Sequence, residues 1–79
     1  MPQALVLTNV EPRSEDTVLR ELKCIEGIEE AYFSYGGYDV IAKVRSSTFD
    51  ALKELITKKI SALPEVRSTL TLMIIQEQS

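Results

Sequence analysis

Histidine and tryptophan are missing from this 79-residue sequence, and cysteine occurs once, at position 24. Without histidine there is no imidazole to act as a base near neutral pH or as a metal ligand. A single cysteine forbids an intrachain disulfide and a two-cysteine metal clip; in a helix-like stretch Cys24 is expected as a small buried hydrophobe. Basic residues are outnumbered nine to twelve, for a net charge of −3. That balance offers no footprint for phosphate backbones, so no direct nucleic-acid binding is expected of the chain alone. No apolar stretch approaches the about 18 residues of a membrane span. The opening Met1-Pro2-Gln3 has no charged start followed by an apolar run, so neither a signal peptide nor a membrane contact is expected, and the default address is cytoplasmic.

Against these absences, 44% apolar and 27% charged residues describe an ordinary globular chain, read as one domain over residues 1–79. Chains below roughly 80 residues gain little stability from the core alone and add disulfides, a metal or self-association. With the first two excluded, self-association is the device that remains.

Gln3 to Val10 (QALVLTNV) is an alternating, β-branched run closed by Glu11-Pro12, where the ladder loses a donor. Ser14 can cap a helix that begins Glu15-Asp16, two acids suited to the positive end of its dipole. Val18, Leu22 and Ile25 mark one face of that helix with Leu19 flanking, and Gly27 fits its stop. Ile28 to Tyr35 and Tyr38 to Arg45 read as strands joined by Gly36-Gly37, a two-residue hairpin signal. Ser46, Ser47 or Thr48 can cap a second helix with the stripe Phe49, Leu52, Ile56, Ile60 and Leu63, with Leu55 alongside; Pro64 ends it. Val66 to Gln76 is the last strand.

The order is βαββαβ, and a shift of 38 positions superposes its halves: Val6 on Val44, Val18 on Ile56, Leu22 on Ile60, Ile28 on Val66. Right-handed crossovers interleave two such units into a ferredoxin-like plait of the α+β class, a four-stranded antiparallel sheet with two helices on one face. The other face ought then to be polar. Strand 1 instead carries Leu5 and Leu7 on one side and Ala4, Val6 and Val10 on the other, and the last strand sets Leu70, Leu72 and Ile74 against Met73 and Ile75. An apolar second face requires a cover, and the simplest cover is another copy of the same sheet.

Support for catalysis is thin. The serines have no histidine partner, Glu29 and Glu30 are adjacent on a strand and point apart, and no glycine-rich turn leads into a helix as phosphate and dinucleotide sites require. An RNA-binding plait needs aromatics on its central strands, yet strand 1 has none and strand 3 only Tyr38 at its start. What stands out is Tyr35-Gly36-Gly37-Tyr38-Asp39. A tight hairpin accounts for it. Alternatively, glycines that expose backbone N–H groups can receive a carboxylate while Asp39 holds an ammonium group, the two charges of a free amino acid.

Gly36-Gly37-Tyr38-Asp39-Val40-Ile41, the run Leu63-Pro64-Glu65-Val66-Arg67-Ser68-Thr69-Leu70-Thr71, and Ile28-Glu29-Glu30-Ala31-Tyr32 upstream together resemble the effector-binding RAM domain of the Lrp/AsnC (feast/famine) regulators. The resemblance spans essentially the whole chain. It implies a homodimer through the open sheet faces, dimers assembled into rings, and a small effector, an amino acid by expectation, held between dimers. The matching pocket positions are Gly36, Gly37, Tyr38 and Asp39, with Thr69 and Thr71 as hydroxyl candidates that can equally bond across the ladder. Tyr35 stands where relatives usually have a small residue, so its phenol fills the pocket or narrows it to particular ligands. No helix-turn-helix is read in these 79 residues, so the stand-alone form of the family is the expectation, acting through assembly or by joining full-length relatives. No enzyme activity, metal or cofactor is expected. The alternatives are an oligomerisation module without ligand and a small enzyme of the dimeric α+β barrel kind. An ACT-like domain would need a glycine-containing turn after strand 1, where this chain has Asn9-Val10-Glu11-Pro12.

Overall fold

The computed structural model describes residues 1–74. Its elements are β1 (Gln3–Val10), α1 (Glu15–Lys23), β2 (Ile28–Phe33), β3 (Val40–Arg45), α2 (Phe49–Leu55, continued by a π-helical turn Ile56–Ile60) and β4 (Val66–Ile74). The strands form one antiparallel sheet in the order β2-β3-β1-β4. This is the expected plait. Ile75 and Gln76, expected to extend the last strand, lie outside the described residues.

Period-two alternation in the strands and the helix stripes converge on a single core. Ala4, Val6, Thr8 and Val10 of β1 and Val40, Ala42 and Val44 of β3 are buried against Val18 and Leu22 of α1 and Leu52, Ile56 and Ile60 of α2. Both helices therefore cover the same face. Thr8, the one buried polar residue among those described, donates its hydroxyl to the Val40 carbonyl at 3.0 Å, which satisfies it inside the core. The apolar positions 52, 56 and 60 recur at intervals of four, which would drift around a regular α-helix. The Ser61 N–H reaches the Ile56 carbonyl at 2.9 Å, a widened turn that keeps Ile60 on the buried side. Thr57 donates to the Lys53 carbonyl at 2.8 Å beside it.

The 38-residue echo is structural. Ile25 N–H bonds to Leu22 O (3.0 Å) and Ile28 N–H to Ile25 O (3.2 Å); 38 positions on, Leu63 bonds to Ile60 (3.1 Å) and Val66 to Leu63 (3.0 Å) in the same way. Gly27 O receives the Arg45 N–H at 2.8 Å, and Glu65 O receives the Glu11 N–H at 2.8 Å. Each following strand opens with an irregularity, as Ile28 pairs with Val44 but Glu30 with Lys43, and Val66 with Val10 but Ser68 with Asn9. The extra residues are Glu29 and Arg67. Each is ion-paired to its neighbour, Glu29 to Arg45 at 3.2 Å and Arg67 to Glu11 at 3.4 Å. The insertion lets Ile28 and Val66 pack on the core although they lie an odd number of positions from the next core-facing residue of their strands.

Five local expectations are corrected. Ser14 sits at the α1 N-cap but makes no capping bond, whereas Thr48 caps α2 by accepting the Ala51 N–H at 3.0 Å. Cys24 is exposed, because it caps α1 on the side away from Val18 and Leu22. Phe49 is 60% exposed, since it begins α2 one turn before the helix meets the core. Gly27 lies beyond the helix end at Cys24. Its φ of +103° and the crowding around it explain the glycine: an added Cβ would stand 2.6 Å from Leu55 Cδ1 and 3.0 Å from Arg45 O. Finally, β2 stops at Phe33 and β3 starts at Val40, so Tyr35 and Tyr38 fall in the connection instead of on strands.

The uncovered face is apolar through its middle. Tyr32, Ile41, Leu7 and Leu70 face one another in a row across all four strands. The next row is Glu30, Lys43, Leu5 and Leu72. Tyr32, Leu70 and Leu72 are 53%, 42% and 47% exposed.

Gly27→Ala combines an unfavourable φ with a close approach, and is expected to lower the unfolding free energy by about 1–3 kcal/mol. Urea denaturation measures it, and an unchanged midpoint would contradict the packing described at Gly27.

Candidate functional site

The connection between β2 and β3 is held by its two ends. Ser34 N–H bonds to Asp39 O at 2.9 Å, and Asp39 N–H bonds to Thr8 O of β1 at 2.8 Å. The Asp39 carboxylate then accepts the Val10 N–H at 2.9 Å. Asp39 thus fastens the connection to the end of β1 through both backbone and side chain. Four residues, Tyr35 to Tyr38, project beyond this clamp, which replaces the expected two-residue turn. A two-residue type I′ turn needs positive φ at both central residues, and only Gly36 has it, at +105°.

Tyr35, Gly36 and Gly37 are exposed and Tyr38 is half-buried. No atom lies within 4 Å of where a Cβ would stand on either glycine, so their backbone is open to an approaching group. Asp39 lies between two hollows. One, of about 380 Å³, is completed by Asn9, Val10, Arg67 and Ser68. The other, of about 490 Å³, is completed by Glu15, Asp16, Phe33, Ser34 and Tyr35. The first collects polar groups of both charges: the Asn9 amide donates to Ser68 Oγ at 3.2 Å, and Arg67 is paired with Glu11.

Thr69 and Thr71 are half-buried on β4, opposite Thr8 and Val6 and therefore on the helix side of the sheet. They line neither hollow beside Asp39. One protomer thus brings Tyr35, Gly36, Gly37, Tyr38 and Asp39 together but not the two threonines. Asn9, Arg67 and Ser68 were not anticipated from sequence. Asn9 lies beside Val10, which bonds Asp39, while Arg67 and Ser68 reach it through the β1–β4 pairing of residues some 59 positions apart, for which no local motif exists. A larger groove, about 640 Å³ between the end of α1 and α2, shares no residue with this region.

Among the described residues no three His, Cys, Asp or Glu side chains converge as metal ligands, and no helix is long and apolar enough to cross a membrane.

A plait with one uncovered apolar face and a clamped, glycine-bearing β2–β3 connection defines a small α+β domain with a candidate site at that connection. Residues 3–78 match the Lrp/AsnC ligand binding domain, and the chain belongs to that family. It is 33% identical over 60 residues to the regulatory protein AsnC of Escherichia coli K12, covering 76% of this chain and 40% of AsnC. It is 36% identical over 70 residues to the proline dehydrogenase transcriptional activator of Rhodobacter capsulatus, covering 80% of this chain and 46% of the activator. The matched segments therefore make up less than half of the length of these regulators. The crystal structure of FFRP-DM1 superposes with a TM-score of 0.92 at 36% identity, covering 95% of this chain and 100% of that one.

The bond from Val10 to Asp39 predicts a separation of roles. Asp39→Ala strands a part-buried N–H and is expected to cost about 1–3 kcal/mol, while Asp39→Asn keeps an acceptor and retains most of the stability. Denaturant midpoints of the two variants check this, and equal losses would contradict the acceptor role.

Proposed function

We propose that this chain is an effector-binding and assembly module of the Lrp/AsnC type, whose ligand is a free amino acid. The observation that carries the reading is the family match over residues 3–78. The exposed backbone of Gly36 and Gly37 supports it, because N–H groups there can receive a carboxylate. Asp39 spends one carboxylate oxygen on Val10, which leaves the other for an ammonium group. The amino-acid class is further supported by the relative that activates proline dehydrogenase, an enzyme that acts on an amino acid.

The module works as an assembly. The row Tyr32–Ile41–Leu7–Leu70 supports a homodimer through the open sheet face, since burying it removes four large side chains from water at about 25 cal/mol per Å². Thr69 and Thr71 lie outside the hollows beside Asp39, so their hydroxyls would complete a pocket only from a neighbouring protomer when dimers associate into rings. An effector bound at such a junction shifts assembly by its differential affinity for the assembled state. Full-length Lrp/AsnC regulators, which are about twice as long as this chain, are the partners through which the shift would reach DNA. The protein acts in the cytoplasm, as a regulator and not as an enzyme.

Two measurements test the proposal. Leu72→Lys places a charge on the β4 side of the open face, and light scattering is expected to show wild-type oligomers converted to monomers. Wild-type protein that is already monomeric at micromolar concentration would overturn the assembly. Calorimetric titration of the assembled wild type with the twenty amino acids is expected to give binding heat for one or a few. Heat with none would leave an oligomerisation module without ligand.

A further inference from the structure

Glu21, in the last turn of α1, and Glu65, in the turn that leads into β4, meet carboxyl to carboxyl. The Oε1 atoms of both are shut off from solvent, and neither has a hydrogen-bond partner among the described residues. Ionised carboxylates only accept. Two of them placed face to face repel and leave both oxygens unsatisfied, whereas a single proton turns the contact into a short, charge-assisted O–H···O⁻ bond.

The surroundings favour that proton. Glu21 stands at the C-terminal end of α1, where the helix dipole opposes negative charge. Its affinity for a proton is raised chiefly by burial, and then by the hydrogen bond and the charge of Glu65; Arg20, on the same helix, opposes the shift. On the strand side the nearby charges are Glu11 and Arg67, and these are engaged with each other at 3.4 Å. The Glu11 N–H binds Glu65 through its backbone carbonyl, not its carboxylate.

We propose that Glu21 and Glu65 form a one-proton clasp that fastens the end of α1 to the start of β4, closing on acidification and loosening as the pH rises. The clasp stands apart from the effector reading and holds whether or not a ligand binds. It acts on β4, which carries Leu70 and Leu72 of the uncovered face together with Thr69 and Thr71. The linkage has a definite sign. A carboxyl whose proton affinity is higher in the folded chain contributes stability that is fully present below its unfolded pKa. That contribution is lost as the pH rises through its folded titration.

Carboxyl carbon-13 NMR of the full chain, followed from acid to neutral pH, reads the clasp directly. The expected result is a Glu21 titration step displaced above the ordinary glutamate range. Glu21→Gln supplies a permanent amide donor to Glu65. It is expected to abolish the step, raise the melting temperature at pH 7 and flatten its dependence on pH relative to wild type. Glu65→Gln should do the same from the other side, and Arg20→Gln should move the wild-type step further up. Ordinary titration of Glu21, or a wild-type pH dependence of melting retained in both Gln variants, would overturn the proposal.

Discussion

A four-stranded sheet has two faces, and two helices of this length can lie over only one of them. In this chain both faces are apolar, so the covered side supplies the core and the uncovered side supplies an obligation. Val6, Val44, Leu22, Leu52 and Ile60 are sealed between helices and sheet. Their counterparts across the sheet, Leu7, Ile41 and Leu70, line up with Tyr32 on the face opposite the helices. Burial of a row of this kind is the main favourable force in protein association. The same alternation that builds the core therefore also leaves a second apolar face exposed.

The internal two-fold relation explains how so short a chain keeps its register. Each half turns out of its helix through the same pair of hydrogen bonds and starts its second strand with an extra residue in an ion pair. Without those insertions a one-residue slip would carry Ile28 or Val66 to the wrong face. The halves differ where the turn meets the neighbouring elements. At Gly27 the contact is Leu55 and the backbone of β3, so only glycine fits. At Glu65, 38 positions later, it is an acidic side chain, which exchanges an apolar contact for one that responds to protons.

The candidate site is built on β1. Thr8 and Val10, from the middle and end of that strand, anchor Asp39 and hence the projecting Tyr35–Tyr38 loop. The stability of the loop base and the chemistry of the loop are thus coupled through one carboxylate. One oxygen of the Asp39 carboxylate has a structural role, accepting the Val10 N–H.

Much of the fold was legible from periodicity. The alternation in Gln3–Val10, the stripe through Leu52, Ile56 and Ile60, and the 38-residue echo are local patterns, and local patterns dictate which side of an element is apolar. The apolar character of both sheet faces was readable in the same way. Other features were not readable. That Cys24 and Phe49 are exposed, that the hairpin widens to a clamped connection, and that Gly27 serves packing instead of ending α1 depend on where other elements come to rest. The same holds for the candidate site. The Gly36-Gly37-Tyr38-Asp39 run stands out in sequence as a candidate, but Asn9, Arg67 and Ser68 come beside Asp39 only through strand pairing, and Thr69 and Thr71 are kept from it by the side of β4 on which they fall. The sequence by itself determined the element order, the faces and the loop, because these follow from spacing along the chain. Tertiary structure decided which distant groups meet, Asp39 with Val10 and Glu21 with Glu65, because hydrogen bonds and charges act over a few ångströms of space irrespective of separation in sequence.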